Sequence, residues 1–249
     1  MRSASKNTAK KEARRQGWNW LEVLAFLAFL IWSAAGLYFT VQRITPAEIE
    51  RWKISPDLRH FVLLCLQNGD PVLILLAFIN THLHAARQWA AGAARAWCVI
   101  VLICAYGIEC FGTKTTFPFG AYHYTGNFGP MLWIVPLTIP MAWHIVLTNA
   151  LFVVRAVLPH VTQLTEALLA GIICTAYDFV LEPFATTRKH YWEWATGSVP
   201  LINYVAWFIL SALLIRLFAP TLSTPHRLYP RPWLILGLTV AIFIAGELK

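Results

Sequence analysis

Residues 165–184 read TEALLAGIICTAYDFVLEPF, an apolar run whose only charges are Glu166, Asp178 and Glu182. At about 1.5 Å per residue, such a length crosses the roughly 30 Å hydrocarbon core of a bilayer. The stretch therefore predicts a membrane-spanning helix. Asp178 and Glu182 stand four residues apart, on one face of that helix. A charge at the centre of a bilayer costs roughly 2.5–3.5 kcal/mol on insertion scales. Two readings stand at this point. Either the pair ends a helix at the interface before Pro183, or it is a site for chemistry or transport.

Working outward, the rest of the chain has the same character. Of 249 residues, 58% are hydrophobic and 13% charged, with a mean hydropathy of +0.56. Soluble domains run at roughly 45–50% apolar and about 25% charged. The composition predicts an all-α polytopic membrane bundle of about seven spans. They read as Leu21–Val41, Leu58–Asn80, Ala94–Phe111, Ile134–Val157, Thr165–Phe184, Leu201–Ala219 and Trp233–Gly246. The third and seventh are the shortest. Asn68-Gly69-Asp70-Pro71 interrupts the second, which is then a kinked span or two re-entrant halves. No internal repeat or long linker divides the chain, so residues 21–249 read as one transmembrane domain behind a tail of residues 1–20.

That tail holds Arg2, Lys6, Lys10, Lys11, Arg14 and Arg15 against Glu12. Such a run sets topology or touches anionic lipid more often than it binds nucleic acid, and the first apolar run is too long for a signal peptide. The Lys and Arg bias, led by the tail, favours a cytoplasmic N-terminus in a bacterial cell membrane. Cys65, Cys98, Cys104, Cys110 and Cys174 are odd in number, lie in apolar segments and lack metal-type spacing, so they read as buried thiols.

Seven spans bring the unusual residues to one membrane face. Glu109 closes the third span, and Asp178 and Glu182 close the fifth. Pro136, Pro140 and Trp143 open the fourth at i, i+4, i+7 spacing, and Asn203 and Trp207 open the sixth at i, i+4. Two loops join them. One carries Phe117-Pro118-Phe119-Gly120, a turn, followed by Tyr122 and Tyr124, which point to one side if extended. The other carries Trp192-Glu193-Trp194 and Val199-Pro200. These aromatics form either an interfacial belt or a lid over a cavity entered from the membrane. Glu109 either joins that cavity or pairs with Lys114.

These motifs together resemble the carotenoid 1,2-hydratase family of the CruF type, integral membrane proteins of carotenoid biosynthesis. The resemblance spans residues 105–207. It rests on Glu109-x-x-Gly112, Phe117-Pro-Phe-Gly120-x-Tyr122-x-Tyr124, Pro136…Pro140-x-x-Trp143, Asp178-x-x-x-Glu182-Pro183, Trp192-x-Trp194 and Val199-Pro200-x-x-Asn203…Trp207. Thr116, Ser198 and Ala206 stand where the family tends to have Gly. These departures bear on the substrate more than on the fold. The resemblance implies addition of water across the terminal 1,2 double bond of a ψ end group, giving a tertiary 1-hydroxy carotenoid without any cofactor. Partners implied are the bilayer, a membrane-embedded polyene and other carotenoid-pathway enzymes.

The residues suit that chemistry. Paired carboxylates in a dry site favour one protonated and one ionised form. Asp178 or Glu182 then protonates C2, and its partner or Glu109 takes the proton of the attacking water. Trp143, Trp192, Trp194 and Trp207 offer cation–π faces to the C1 cation. Asn203 positions water, and Phe117, Phe119, Tyr122 and Tyr124 bind the polyene. Other classes fit less well. The eight histidines hold one close pair, His82-Leu83-His84, far from Asp178, so no di-iron or other metal centre is expected. A retinal protein needs a lysine in its last span, and Trp233–Gly246 has none. A transporter with Asp70, Asp178 and Glu182 along a path, or a non-catalytic carotenoid-binding protein, is the alternative.

Overall fold

The computed structural model describes residues 19–221 and 230–248. Most of the basic tail, with His226, Arg227 and Lys249, lies outside the described residues. Helix α1 (Trp20–Val41) starts at the Asn19 cap. Short α2 (Pro46–Glu50) has a reciprocal Thr45–Glu48 capping box with Pro at its first turn. Then come α3 (Pro56–Gln67), α4 (Gly69–Gln88) and α5 (Ala91–Thr115). Strands β1 (Tyr122–Tyr124), β2 (Met131–Leu132) and β3 (Val135–Pro136) precede α6 (Thr138–Val157) and α7 (Gln163–Pro183). A π-helical turn (Phe184–Arg188), β4 (Trp192–Trp194), α8 (Leu201–Phe218) and α9 (Pro230–Glu247) complete the described chain.

Six of the described helices are long and apolar enough to cross a membrane. A seventh crossing results if α3 and α4, bent by 66° at Asn68, count as one. The chain is thus an all-α integral membrane bundle. The second span is broken as Asn68-Gly69-Asp70-Pro71 suggests, and its second half runs on to Gln88, beyond the expected Asn80. At the break the Trp32 indole donates to the Gly69 carbonyl at 2.9 Å, tying α1 to the start of α4.

Two expectations are corrected. The third span is not short, since α5 has 25 residues. At its polar end Thr113 and Thr115 satisfy their hydroxyls on the Glu109 and Phe111 carbonyls one turn back. Pro136 is not on the fourth span. It sits in β3, paired with Met131, so the helical face retains only Pro140 and Trp143.

The core gathers around α6, whose apolar window is 83% buried, and α4, α5, α7 and α9 all pack on it. Buried polar pairs tie the helices. Trp97 donates to Thr148 at 2.9 Å, Asn149 to Thr81 at 2.8 Å, and Tyr177 to Thr239 at 3.0 Å. Such bonds average about 0.6 kcal/mol in a membrane bundle, so packing does most of the holding. Helices α7 and α8 come close together at Gly171. A Cβ there would stand 3.1 Å from the Phe208 carbonyl oxygen and 3.3 Å from the Ala212 methyl.

Candidate active site

One end of the bundle is closed by a small sheet. Strand β1 pairs antiparallel with β4, setting Tyr122 opposite Trp194 and Tyr124 opposite Trp192. Side chains alternate across such a ladder. The four aromatics therefore turn inward, while His123 and Glu193 turn outward, 3.6 Å apart with side chains 68% and 55% exposed. The ladder is extended by Ala195 N–H to the Ala121 carbonyl and Thr125 N–H to the Tyr191 carbonyl. The two loops thus form one aromatic lid.

Two glycines let the lid seat. A Cβ on Gly112 would come within 2.8 Å of the Phe119 ring. Gly120, at φ +112, would meet the Pro200 ring at 2.8 Å. Thr116 has φ 66, a left-handed conformation that glycine adopts more readily than a residue with a side chain.

Beneath the lid lies a pocket with an open mouth. Glu109, Asp178 and Glu182 all line it and are at most 5% exposed. Asn203, Phe119, Tyr122, Tyr124, Trp143, Trp192, Trp194 and Trp207 line it too. Phe117 does not. It is 65% exposed and meets Phe111 edge-on outside the lid, because the turn at Pro118 directs the two phenylalanines apart. Sequence reasoning missed Phe128, Ile139, Ala142, Val146, Tyr177 and Leu181, which supply much of the apolar wall. Helical spacing of three or four residues from Trp143 and Asp178 marks Ile139, Val146 and Leu181 as neighbours. Nothing local in the sequence marks Phe128.

The three carboxyl groups differ in their donors. Glu182 Oε2 accepts from Trp192 Nε1 at 3.1 Å and Trp194 Nε1 at 3.0 Å, and its Oε1 from Asn203 Nδ2 at 3.4 Å. Glu109 Oε2 accepts from the Tyr122 hydroxyl at 2.5 Å and the Tyr124 hydroxyl at 2.8 Å, and its Oε1 from Trp143 Nε1 at 2.9 Å. Asp178 receives one bond, from Asn203 Nδ2 to Oδ2 at 2.7 Å. Asn203 thus bridges Asp178 and Glu182 with one amide nitrogen. Burial, with Glu109 adjacent, pushes the Tyr122 and Tyr124 phenols well up. Both remain protonated donors at neutral and mildly alkaline pH.

The helical course does not stop after Glu182. Pro183 carries no N–H, yet the backbone continues through the π-helical turn Phe184–Arg188. Nor does Glu109 pair with Lys114, whose Nζ stands 4.1 Å over the Trp133 ring. Asp70 lies outside the cavity lining and pairs with Lys189 Nζ at 2.8 Å.

The apolar wall contains a flat stack. Trp143 and Trp207 lie with ring centroids 3.9 Å apart and planes 10° apart. Carboxyl groups, indole faces and a mostly hydrocarbon lining together suit an apolar substrate that gains and loses a proton through a short-lived cation.

A family model described as carotenoid biosynthesis protein matches residues 69–247. A bisanhydrobacterioruberin hydratase of Haloarcula japonica is 29% identical over 126 residues. That alignment covers 48% of this chain and 43% of that relative, so it spans less than half of either. No solved structure matches the chain.

Proposed function

The chain belongs to the carotenoid biosynthesis protein family, and from that membership we propose that it is a carotenoid 1,2-hydratase acting on a ψ end group. The relative named as a hydratase supports the reaction class. The observation that carries the reading is the donor asymmetry among three buried carboxyl groups in one apolar cavity. Glu109 and Glu182 each accept three N–H or O–H donors, an arrangement suited to a carboxylate, whereas Asp178 accepts one. Asp178 is the carboxyl left to carry the transferable proton.

In this mechanism the Asp178 carboxyl gives its proton to C2 of the terminal trisubstituted alkene. The π pair forms the new C–H bond and leaves a tertiary cation at C1. Water adds to C1 and yields a proton to Glu182, giving the tertiary alcohol. Transfer of that proton to Asp178 resets the pair, which Asn203 holds in register. Glu109, at the other wall, is the alternative base. Positioned acid–base groups contribute typically about 10²–10⁴-fold. The indole faces of Trp143 and Trp207 stabilise the cation by roughly 2 kcal/mol when desolvated, without a nucleophile that would trap it. The atoms balance as alkene plus water, so no redox partner enters.

The test is expression in a host that accumulates an acyclic ψ-ended carotenoid, with pigments separated and weighed by mass spectrometry. A product heavier by one water, with a tertiary hydroxyl at C1, is expected. Unchanged pigment beside membrane-inserted protein overturns the proposal and leaves binding or transport.

A further inference from the structure

His82, Cys98 and His144 come from three helices, α4, α5 and α6. One ligand-capable atom from each lies within 4.8 Å of the others. The cluster is separate from the cavity, whose lining includes Trp143 but not His144. Its second mark is polar and unmet. His144 is 0% exposed, and neither of its ring nitrogens has a hydrogen-bond partner. Nδ1 of His82 is also buried without one. A neutral imidazole has one N–H donor and one acceptor nitrogen. Leaving both unpaired in an apolar interior is costly, and Phe78 against the His144 ring supplies no partner for them.

We propose that His82, Cys98 and His144 form a zinc site inside the membrane bundle. Imidazole nitrogen and thiolate sulfur suit a borderline-soft ion, and zinc has no geometric preference of its own, so donors from three helices satisfy it. Bonds of about 2.0–2.3 Å in a tetrahedron bring donor atoms to roughly 3.3–3.6 Å of one another. The observed cluster closes to that spacing by side-chain movement of about an ångström. Cys98 releases its proton as it binds. The fourth position takes a water. The ion clamps α4 and α5 to α6, the helix that carries Trp143 into the cavity wall. The site departs from the expectation that the chain holds no metal. Its ligands share no motif, and the visible pair divides, with His84 packed edge-on to Phe152 instead.

The full chain, purified in detergent, is analysed for zinc, copper and iron together by plasma mass spectrometry. It is also titrated with cobalt(II) as an optical probe. One zinc per chain is expected, together with a thiolate-to-cobalt charge-transfer band. That band disappears in Cys98→Ser, and cobalt binding weakens at least tenfold in His144→Ala. Wild-type chain with neither zinc nor the band overturns the site, whether or not the variants fold. Copper in place of zinc overturns the zinc assignment. An unchanged band in Cys98→Ser overturns the ligand set.

Discussion

Trp143 on α6 and Trp207 on α8 lie face to face in the cavity wall, with ring centroids 3.9 Å apart. The Trp143 indole nitrogen is anchored on Glu109, so the stack is oriented from the same group that receives Tyr122 and Tyr124. If the stack faces the C1 cation, Trp207→Leu removes a cation–π contact while keeping an apolar filler. A loss of about 2 kcal/mol corresponds to roughly a 30-fold fall in turnover. Trp207→Phe retains part of it. Single-turnover hydration in membranes, measured beside substrate retention, checks the order wild type, Phe, Leu. Equal rates for Leu and wild type would remove the stack from the mechanism.

Asp178→Asn keeps the size and polarity of the side chain but has no proton to give. Hydration is expected to fall by about 10²–10⁴-fold, the range of a positioned general acid. Glu182→Gln falls too, through loss of the base. The readout that separates them is exchange into the substrate from deuterated water. Glu182→Gln still protonates C2 reversibly and washes deuterium into unreacted alkene, whereas Asp178→Asn does not. Deuterium incorporation by Asp178→Asn at the wild-type rate would move the acid role elsewhere.

The amino-acid order shows the membrane class plainly, because span length and hydropathy are properties of contiguous residues. It also shows that Asp178 with Glu182, and Asn203 with Trp207, share helix faces, because a 3.6-residue period needs only one turn to be read. The pairing of Tyr122 with Trp194 is invisible there. Two three-residue strands are too short to show a period, and their partners lie some seventy positions apart. Phe117 and Phe119 look alike in sequence but separate at a turn, one outside and one buried. The length of α5 is hidden because Thr113, Lys114 and Thr115 lower its hydropathy, while both threonine hydroxyls satisfy carbonyls one turn back.

The two indole N–H groups on Glu182 make a separate prediction. Trp192→Phe and Trp194→Phe each keep the lid apolar and remove one donor from a buried carboxylate. Each lost bond to a charged group costs on the order of 1–3 kcal/mol. Because both donors meet the same oxygen, Oε2, one remaining donor still serves it after a single change, so the double variant is expected to lose more than the sum of the singles. Detergent-melting midpoints of the four proteins form the double-mutant cycle. Strict additivity would mean that the two donors act independently.

Helix α7 brings Asp178 and Glu182 to the cavity, and α8 brings Asn203. The close approach at Gly171 sets how near these helices stand. A Cβ there already meets the Phe208 carbonyl oxygen at 3.1 Å, a backbone atom that cannot swing aside. Gly171→Leu therefore has to part the helices, which lengthens the 2.7 Å Asn203–Asp178 bond. Activity and detergent stability are expected to fall together, with the cost in the range of about 1–3 kcal/mol for overpacking. The control is Gly107→Ala on α5, where a Cβ meets nothing within 4 Å. That change is expected to be neutral or to stabilise by about 0.5–1 kcal/mol through helix propensity. Restored packing supplies the decisive comparison. Ala212 faces Gly171 with its methyl at 3.3 Å, so Ala212→Gly should recover part of the loss in a milder Gly171→Ala variant. Absence of any recovery would mean that the Phe208 carbonyl alone sets the spacing.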